Sequence, residues 1–487
     1  MLFSDDRITQ KKQLNTFGLS GLLICAIFAN VQAQALKVKM VLSPEQIRVY
    51  AEPARAAQSW SFRNAYAGVL GLGDRIKDFE AVGKAGENAV VRKLAAGEYR
   101  SDQKATSFAY SVGLPLPSRP GDLSHVSWLA SDYGFLMLAD LLPEAIGEDT
   151  VQEQSVLVEF EVPVGWTVGS SISPSEKNQF VVKEPEAAVF LVGHSLRKTA
   201  KTLESMEVEI LATGEWPSAD AEVLKIAAKV MKKYAELTGF RLPRKSVVML
   251  APLPASQSTA FWRAETRGSS VILLLDPRAK REKWIPQLGV IFTHEILHLW
   301  VPNSLRLKGD YDWFFEGFTL YEALLVALDL KLITFKEYLN TIARVYDSYL
   351  SYADDLSLIE ASEQRWTTAA PLVYDKGMLV AFIYDLVTRQ ESDARSSLAD
   401  RYRALFSSRA AERLNANEVI IGLLRSSAAT DGFPKAYIET RNTIQLERVL
   451  PAYGLQINTR GPITHLSVGS ELSKEQYRLL HSLGYRQ

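Results

Sequence analysis

The chain is almost without cysteine. Of its 487 residues only Cys25 carries a thiol, and it lies in an apolar stretch near the N-terminus. Once that stretch is removed on export the mature chain holds no thiol, which excludes disulfides, cysteine nucleophiles and cysteine metal ligands. An excess of charge of either sign is also missing. The 55 lysines and arginines against 56 acidic residues leave a formal net charge of −1, and no long run of like charge occurs. The sequence therefore favours neither a nucleic-acid partner nor a charged membrane surface. It also lacks internal repeats, low-complexity tracts, a P-loop, a dinucleotide fingerprint and a nucleophile elbow. The apolar run Phe17 to Ala29 is short for a membrane span.

Lys11 and Lys12 precede that run, and VQAQA follows it at 31 to 35. Residues 1–33 thus read as a secretory signal with cleavage after Ala33 or Ala35, leaving no stable membrane span and placing the protein in a periplasm or outside the cell. A retained anchor is the alternative. LLIC at 22 to 25 has Ile where a lipidation signal needs a small residue before the cysteine, which argues against a lipid anchor.

A chain of this length with 47% apolar residues predicts two or three domains in a multidomain α+β fold. From 36 to 213 short strands alternate with turns. Val156, Val158, Phe160 and Val162 alternate with Leu157, Glu159 and Glu161, and Met206, Val208 and Ile210 alternate with Glu207 and Glu209. This period of two predicts an antiparallel, sandwich-like β domain. His125 and His194 lie within it and read as structural. GEWPSAD at 214 to 220 marks a boundary, with Ser218 as the cap of a helix that stops at Gly239. Strands are expected at 247 to 250 and 271 to 276, leading into a helix that begins near Pro286 and ends before Pro302. The central region would span 214–332. Region 333–445 is helical, opening on a Thr334/Glu337 capping box, with further helices at 371–389, 395–407, 416–426 and 432–443. Residues 446–487 form a tail too short for an independent domain, and its His465 and His481 read as surface or packing residues.

Residues 291 to 319 carry the chemistry. In HEILH, His294 and His298 are i and i+4 on one helix, so both imidazoles project from one face and can grip one ion. Glu295 stands one position round from His294, where a general base for a bound water is needed. Glu316 is the best candidate for a third ligand. Seventeen residues separate it from His298, room for a loop through Pro302, Asn303, Lys308 and Gly309 and a return on a second helix. Two histidines, one carboxylate and an open fourth position favour catalytic Zn²⁺.

At these residues the sequence resembles the gluzincin metallopeptidases, most of all the aminopeptidase branch that includes the glycyl and neutral aminopeptidases. HEILH, WFFEGFTLY at 313 to 321 and YDKG at 374 to 377 carry the resemblance. The His to Glu spacing is shorter than in either family. The resemblance implies a thermolysin-like α/β zinc domain and a peptide substrate. It also implies an oxyanion-stabilising role for Tyr374, because YDKG is similar to the segment that carries such a tyrosine. AETRGSSVILLL at 264 to 275 is similar to a strand that holds a substrate-binding glutamate, which falls on Glu265. Trp262 and Arg263 stand where that family has two glycines, and such side chains could close the pocket for a free amine. The expected function is an exported zinc aminopeptidase. The alternatives are a zinc endopeptidase with a blocked amine pocket and a zinc-holding peptide-binding protein without turnover.

Overall fold

Alternating side chains build the first of three sheets. Val156, Val158 and Phe160 are buried, while Glu159 and Glu161 face solvent, as a strand with one covered face requires. The computed structural model describes residues 35–146, 155–216, 218–254, 262–278, 280–352, 355–408 and 414–486. The expected signal segment and Cys25 lie outside the described residues. Nine strands among the described residues form this sheet. It is mixed rather than wholly antiparallel, because Ala35–Ser43 pairs parallel with Ser155–Glu161 and antiparallel with Gln46–Glu52.

A second sheet of four strands has the order Trp166–Ser170, Val189–His194, Tyr133–Met137, Trp128–Leu129. It is covered on both sides, which explains the unbroken apolar run VFLV at 189 to 192. Phe190 and Val192 join a core with Val158 and Phe180 of the first sheet. Val189 and Leu191 point the other way, into a core with Val247, Met249 and Ile272. The sandwich expected from the sequence is therefore extended to three stacked sheets.

The third sheet has the order Arg197–Leu203, Met206–Ala212, Ser246–Pro252, Ser270–Leu275, Trp262–Arg267. Met206–Ala212 pairs parallel with Ser246–Pro252, so residues 197–212 belong to the sheet that the expected 213/214 boundary assigned to the next region. Strand periodicity marks a strand but not its partner. The far face of this sheet packs against Asp220–Thr238 and Arg281–His298 in the largest core. Asp220–Thr238 ends at Gly239, whose φ of 69° suits a glycine. Its N-cap is Ala219 rather than Ser218.

The helix expected from Pro286 starts five residues earlier, at Arg281, and contains that proline. Pro286 is the sixth residue of this helix, which therefore forgoes the hydrogen bond a residue there would make to the Glu282 carbonyl. The helix ends at His298, before Pro302. The C-terminal region is helical: Thr319–Asp329, Phe335–Leu350 behind its Thr334 capping box, Gly377–Glu391, Ala399–Ser407 and Ala416–Leu424. The helix expected over 432–443 is only Phe433–Tyr437. Leu446, Leu450, Leu455, Leu466 and Leu480 of the tail are buried in the same large core. No helix among the described residues is long and apolar enough to cross a membrane.

Candidate metal centre and active site

His294 and His298 occupy the last turns of Arg281–His298, with ring centroids 4.4 Å apart. Helical spacing puts them on one face, and the end of the helix fixes one of them. Beyond His298 the chain turns, and the carbonyl of Val301 takes a hydrogen bond from His298 Nδ1 at 2.9 Å. In the neutral ring this leaves the lone pair on Nε2. His294 Nδ1 is buried with no such partner, so the protein fixes the tautomer of only one imidazole.

The chain returns through Trp313–Phe318, a π-helical turn that carries Glu316. Such turns are frequent at functional sites because they re-aim a side chain within a helix. Glu316 Oε2 lies 3.3 Å from Nε2 of both histidines, which are 3.1 Å from each other. Three donors of a tetrahedral zinc with bonds of about 2.0–2.1 Å would be roughly 3.3–3.4 Å apart. Among the described residues these three form the one cluster with metal-ligand geometry. All are buried, and the site stabilises positive charge. Burial works against protonation of His298, but the adjacent Glu316 carboxylate outweighs it and lifts the imidazole to about 9. Burial likewise works against ionising Glu316, but Arg365 and His298 hold it well below the usual carboxylate range. The donor set thus fits Zn²⁺ by number, type, spacing and field.

Glu295 is buried beside the ligands, close enough for its charge to raise the pKa of both His298 and Tyr374. Thr266 of the edge strand Trp262–Arg267 sits 2.8 Å from Glu295 Oε2 and 2.9 Å from its carbonyl oxygen, able to donate to either. Tyr374 lies in a second π-helical turn, Leu372–Lys376. Burial and the nearby Glu316 raise its pKa strongly, against an opposing effect of Arg365, so the phenol keeps its proton and remains a donor. Arg365 binds both groups: its Nη2 is 2.6 Å from Glu316 Oε1 and 2.6 Å from the Tyr374 hydroxyl, and its Nη1 is 2.6 Å from Asp312.

The turns that carry Glu316 and Tyr374 are locked together by Gly317 and by Gly377, the residue that follows Leu372–Lys376. A Cβ on Gly317 would come within 2.5 Å of Gly377 Cα and 2.7 Å of the Val373 carbonyl, and one on Gly377 within 2.9 Å of Gly317 Cα. Only hydrogen fits at either position. The EGF and YDKG segments therefore meet backbone to backbone.

Glu265 lies on the same strand as Thr266, but its carboxylate is already engaged. Oε1 accepts from the Tyr66 hydroxyl at 2.9 Å and from Arg267 Nε at 2.6 Å, and Oε2 contacts His125 Nδ1. Burial opposes its ionisation, yet Arg267 and His125 hold it at about 2. His125, read from the sequence as structural, is thus brought to a candidate site residue by a contact 140 positions away in the chain. His194 stacks edge-on to Trp166 and is exposed, as are His465 and His481. Sequence reasoning missed Arg365, Thr266, Tyr66 and His125. Thr266 lies in the AETRGSSVILLL stretch but beside the residue that drew notice, the others stand in no motif, and each is recruited by tertiary contact.

Fold and site together define a class: stacked β layers joined to a helical region, with HExxH on a helix behind an edge strand and a glutamate donated by the next helical segment. No family model and no curated protein matches the sequence. Among solved structures, the fold is similar to an aminopeptidase N family protein from Idiomarina loihiensis, with a TM-score of 0.75 at 16% identity over 90% of this chain and 82% of the other. It is also similar to a variant M1 zinc metallopeptidase from Deinococcus radiodurans bound to Tyr-Ser-Ala, with a TM-score of 0.53 at 14% identity over 85% and 95%. The resemblance to gluzincin aminopeptidases carried by the motifs extends to the fold.

Proposed function

We propose that the protein is a zinc-dependent peptidase of thermolysin-like catalytic architecture, acting as an exported aminopeptidase in a periplasm or outside the cell. The convergence of Glu295 and Tyr374 on the His294, His298 and Glu316 cluster carries this reading. Zinc held by those three residues would supply a Lewis acid that polarises the scissile carbonyl and acidifies water to a pKa of about 7. Glu295 takes the proton of the attacking water and returns it to the leaving amine, with Oε2 within reach of Thr266. The Tyr374 hydroxyl, accepting from Arg365, keeps its own proton to donate to the oxyanion.

The likeness to aminopeptidases supports an exopeptidase. One observation favours an endopeptidase instead: Glu265 is already bound by Tyr66, Arg267 and His125, so a substrate ammonium competes for a carboxylate whose charge is already paired. The test combines metal content with a panel of free and N-acetylated peptides. The protein should bind one zinc, and Glu295→Gln should retain it while losing at least about a hundredfold in turnover. Faster cleavage of free than of acetylated peptides supports the aminopeptidase. Equal rates would decide for the endopeptidase, and residual turnover in Glu295→Gln would remove that residue as the base.

A further inference from the structure

Next to the metal cluster the protein exposes an indole with no role in the steps above. Trp366 is 55% exposed, an unusual state for a tryptophan, whose burial is normally favourable. It is nevertheless held. The Arg365 guanidinium lies over its ring, 4.4 Å from the centroid, and Arg365 is fixed in turn by Asp312, Glu316 and Tyr374. The same guanidinium is 5.4 Å from the Phe315 ring and 5.4 Å from the Tyr374 ring. Phe315 stacks edge-on to the metal-site ring of His298. Three aromatic rings therefore wrap one cation that touches Glu316, and the outermost ring faces solvent.

We propose that Trp366, with Phe315 and the Tyr374 ring, forms a subsite for a large apolar side chain, above all an aromatic one, on the substrate residue beside the scissile bond. This rests on the peptidase reading and adds a substrate class to it. A ring already stacked on a fixed guanidinium loses little freedom when a second ring covers its outer face. Asp312 and Glu316 are both paired with Arg365, and the charge nearest the Trp366 ring is the Arg365 guanidinium. Lysine and arginine side chains are thus met by a like charge.

The experiment compares kcat/KM for peptides that differ only at a residue flanking the scissile bond: Phe, Leu, Ala or Lys. The wild type should prefer Phe over Ala by about tenfold or more and accept Lys least. Trp366→Ala should reduce the Phe to Ala ratio about tenfold, and Trp366→Phe should restore most of it. Binding is read separately by calorimetry with the same peptides on zinc-loaded Glu295→Gln, with and without Trp366→Ala. An unchanged Phe to Ala ratio, or a uniform loss for all peptides, overturns the subsite. Absence of hydrolysis by the zinc-loaded wild type, with Trp366-dependent preference for Phe peptides intact in calorimetry, overturns the peptidase reading alone.

Discussion

Thr266 reaches Glu295, the proposed general base, from another element, and its role is separable from packing. Thr266→Val keeps the shape but removes the donor beside Glu295 Oε2. A hydrogen bond to a charged group contributes roughly 1.5–3 kcal/mol, so kcat should fall about ten- to a hundredfold with zinc retained. Thr266→Ser should recover most of the rate, and a rate that neither variant changes would remove Thr266 from the machinery. Tyr374→Phe should lower kcat by about a hundredfold with little change in KM if its hydroxyl has the proposed role of meeting charge that develops in the transition state. A rise in KM alone would make it a binding residue. Residues whose chemistry shows in local spacing, His294, Glu295, His298 and Glu316, were readable from the sequence and come together in the fold. Thr266 and Arg365 were not, because a lone threonine or arginine has no signature until the fold sets it against its partner.

At the scale of elements, helix Thr319–Asp329 follows the Glu316 turn and carries a buried acid, Glu322, with Oε2 unpartnered. Burial and the nearby Asp385 raise its pKa to about 8. Because the folded value exceeds the ordinary one near 4.5, the associated stability is complete below about pH 4.5 and is lost as pH rises through 8. Glu322→Gln should therefore be close to neutral at pH 4.5 and stabilising at pH 7, by up to roughly 3 kcal/mol. Denaturant melts at the two pH values check this, and a pH-independent difference would refute it. Element type was readable wherever periodicity was strong, as in Asp220–Thr238 and Phe335–Leu350. Boundaries failed where local signals compete with tertiary packing, as at Pro286, or where a strand's partner lies far away, as for 197–212.

For the whole molecule, the β region and the catalytic sheet are joined at Glu265 by Tyr66 and His125, with Arg267 stacked 4.1 Å over the Tyr66 ring. The Glu265 pKa is depressed to about 2. Its contribution is therefore present above the ordinary value near 4.5 and lost as pH falls from there toward 2. Glu265→Gln should destabilise the protein at pH 7 by a few kcal/mol, on the order of 3, and the gap to wild type should narrow on acidification. Parallel melting curves across pH 2.5 to 7 would show that the cluster is not coupled to folding. Three-sheet stacking was invisible in the sequence, because VFLV at 189 to 192 announces burial on both faces without naming what covers either.

The contact between Gly317 and Gly377 also constrains how such a protein can diverge. Neither position tolerates a methyl group while the other backbone stays in place, so the segments bearing Glu316 and Tyr374 cannot drift apart one substitution at a time. A lineage that loses one glycine must move both turns, and with them the third ligand and the tyrosine. Exposed positions such as Trp366 carry no such backbone constraint, so new substrate preferences would arise there while the joint itself is inherited whole or lost.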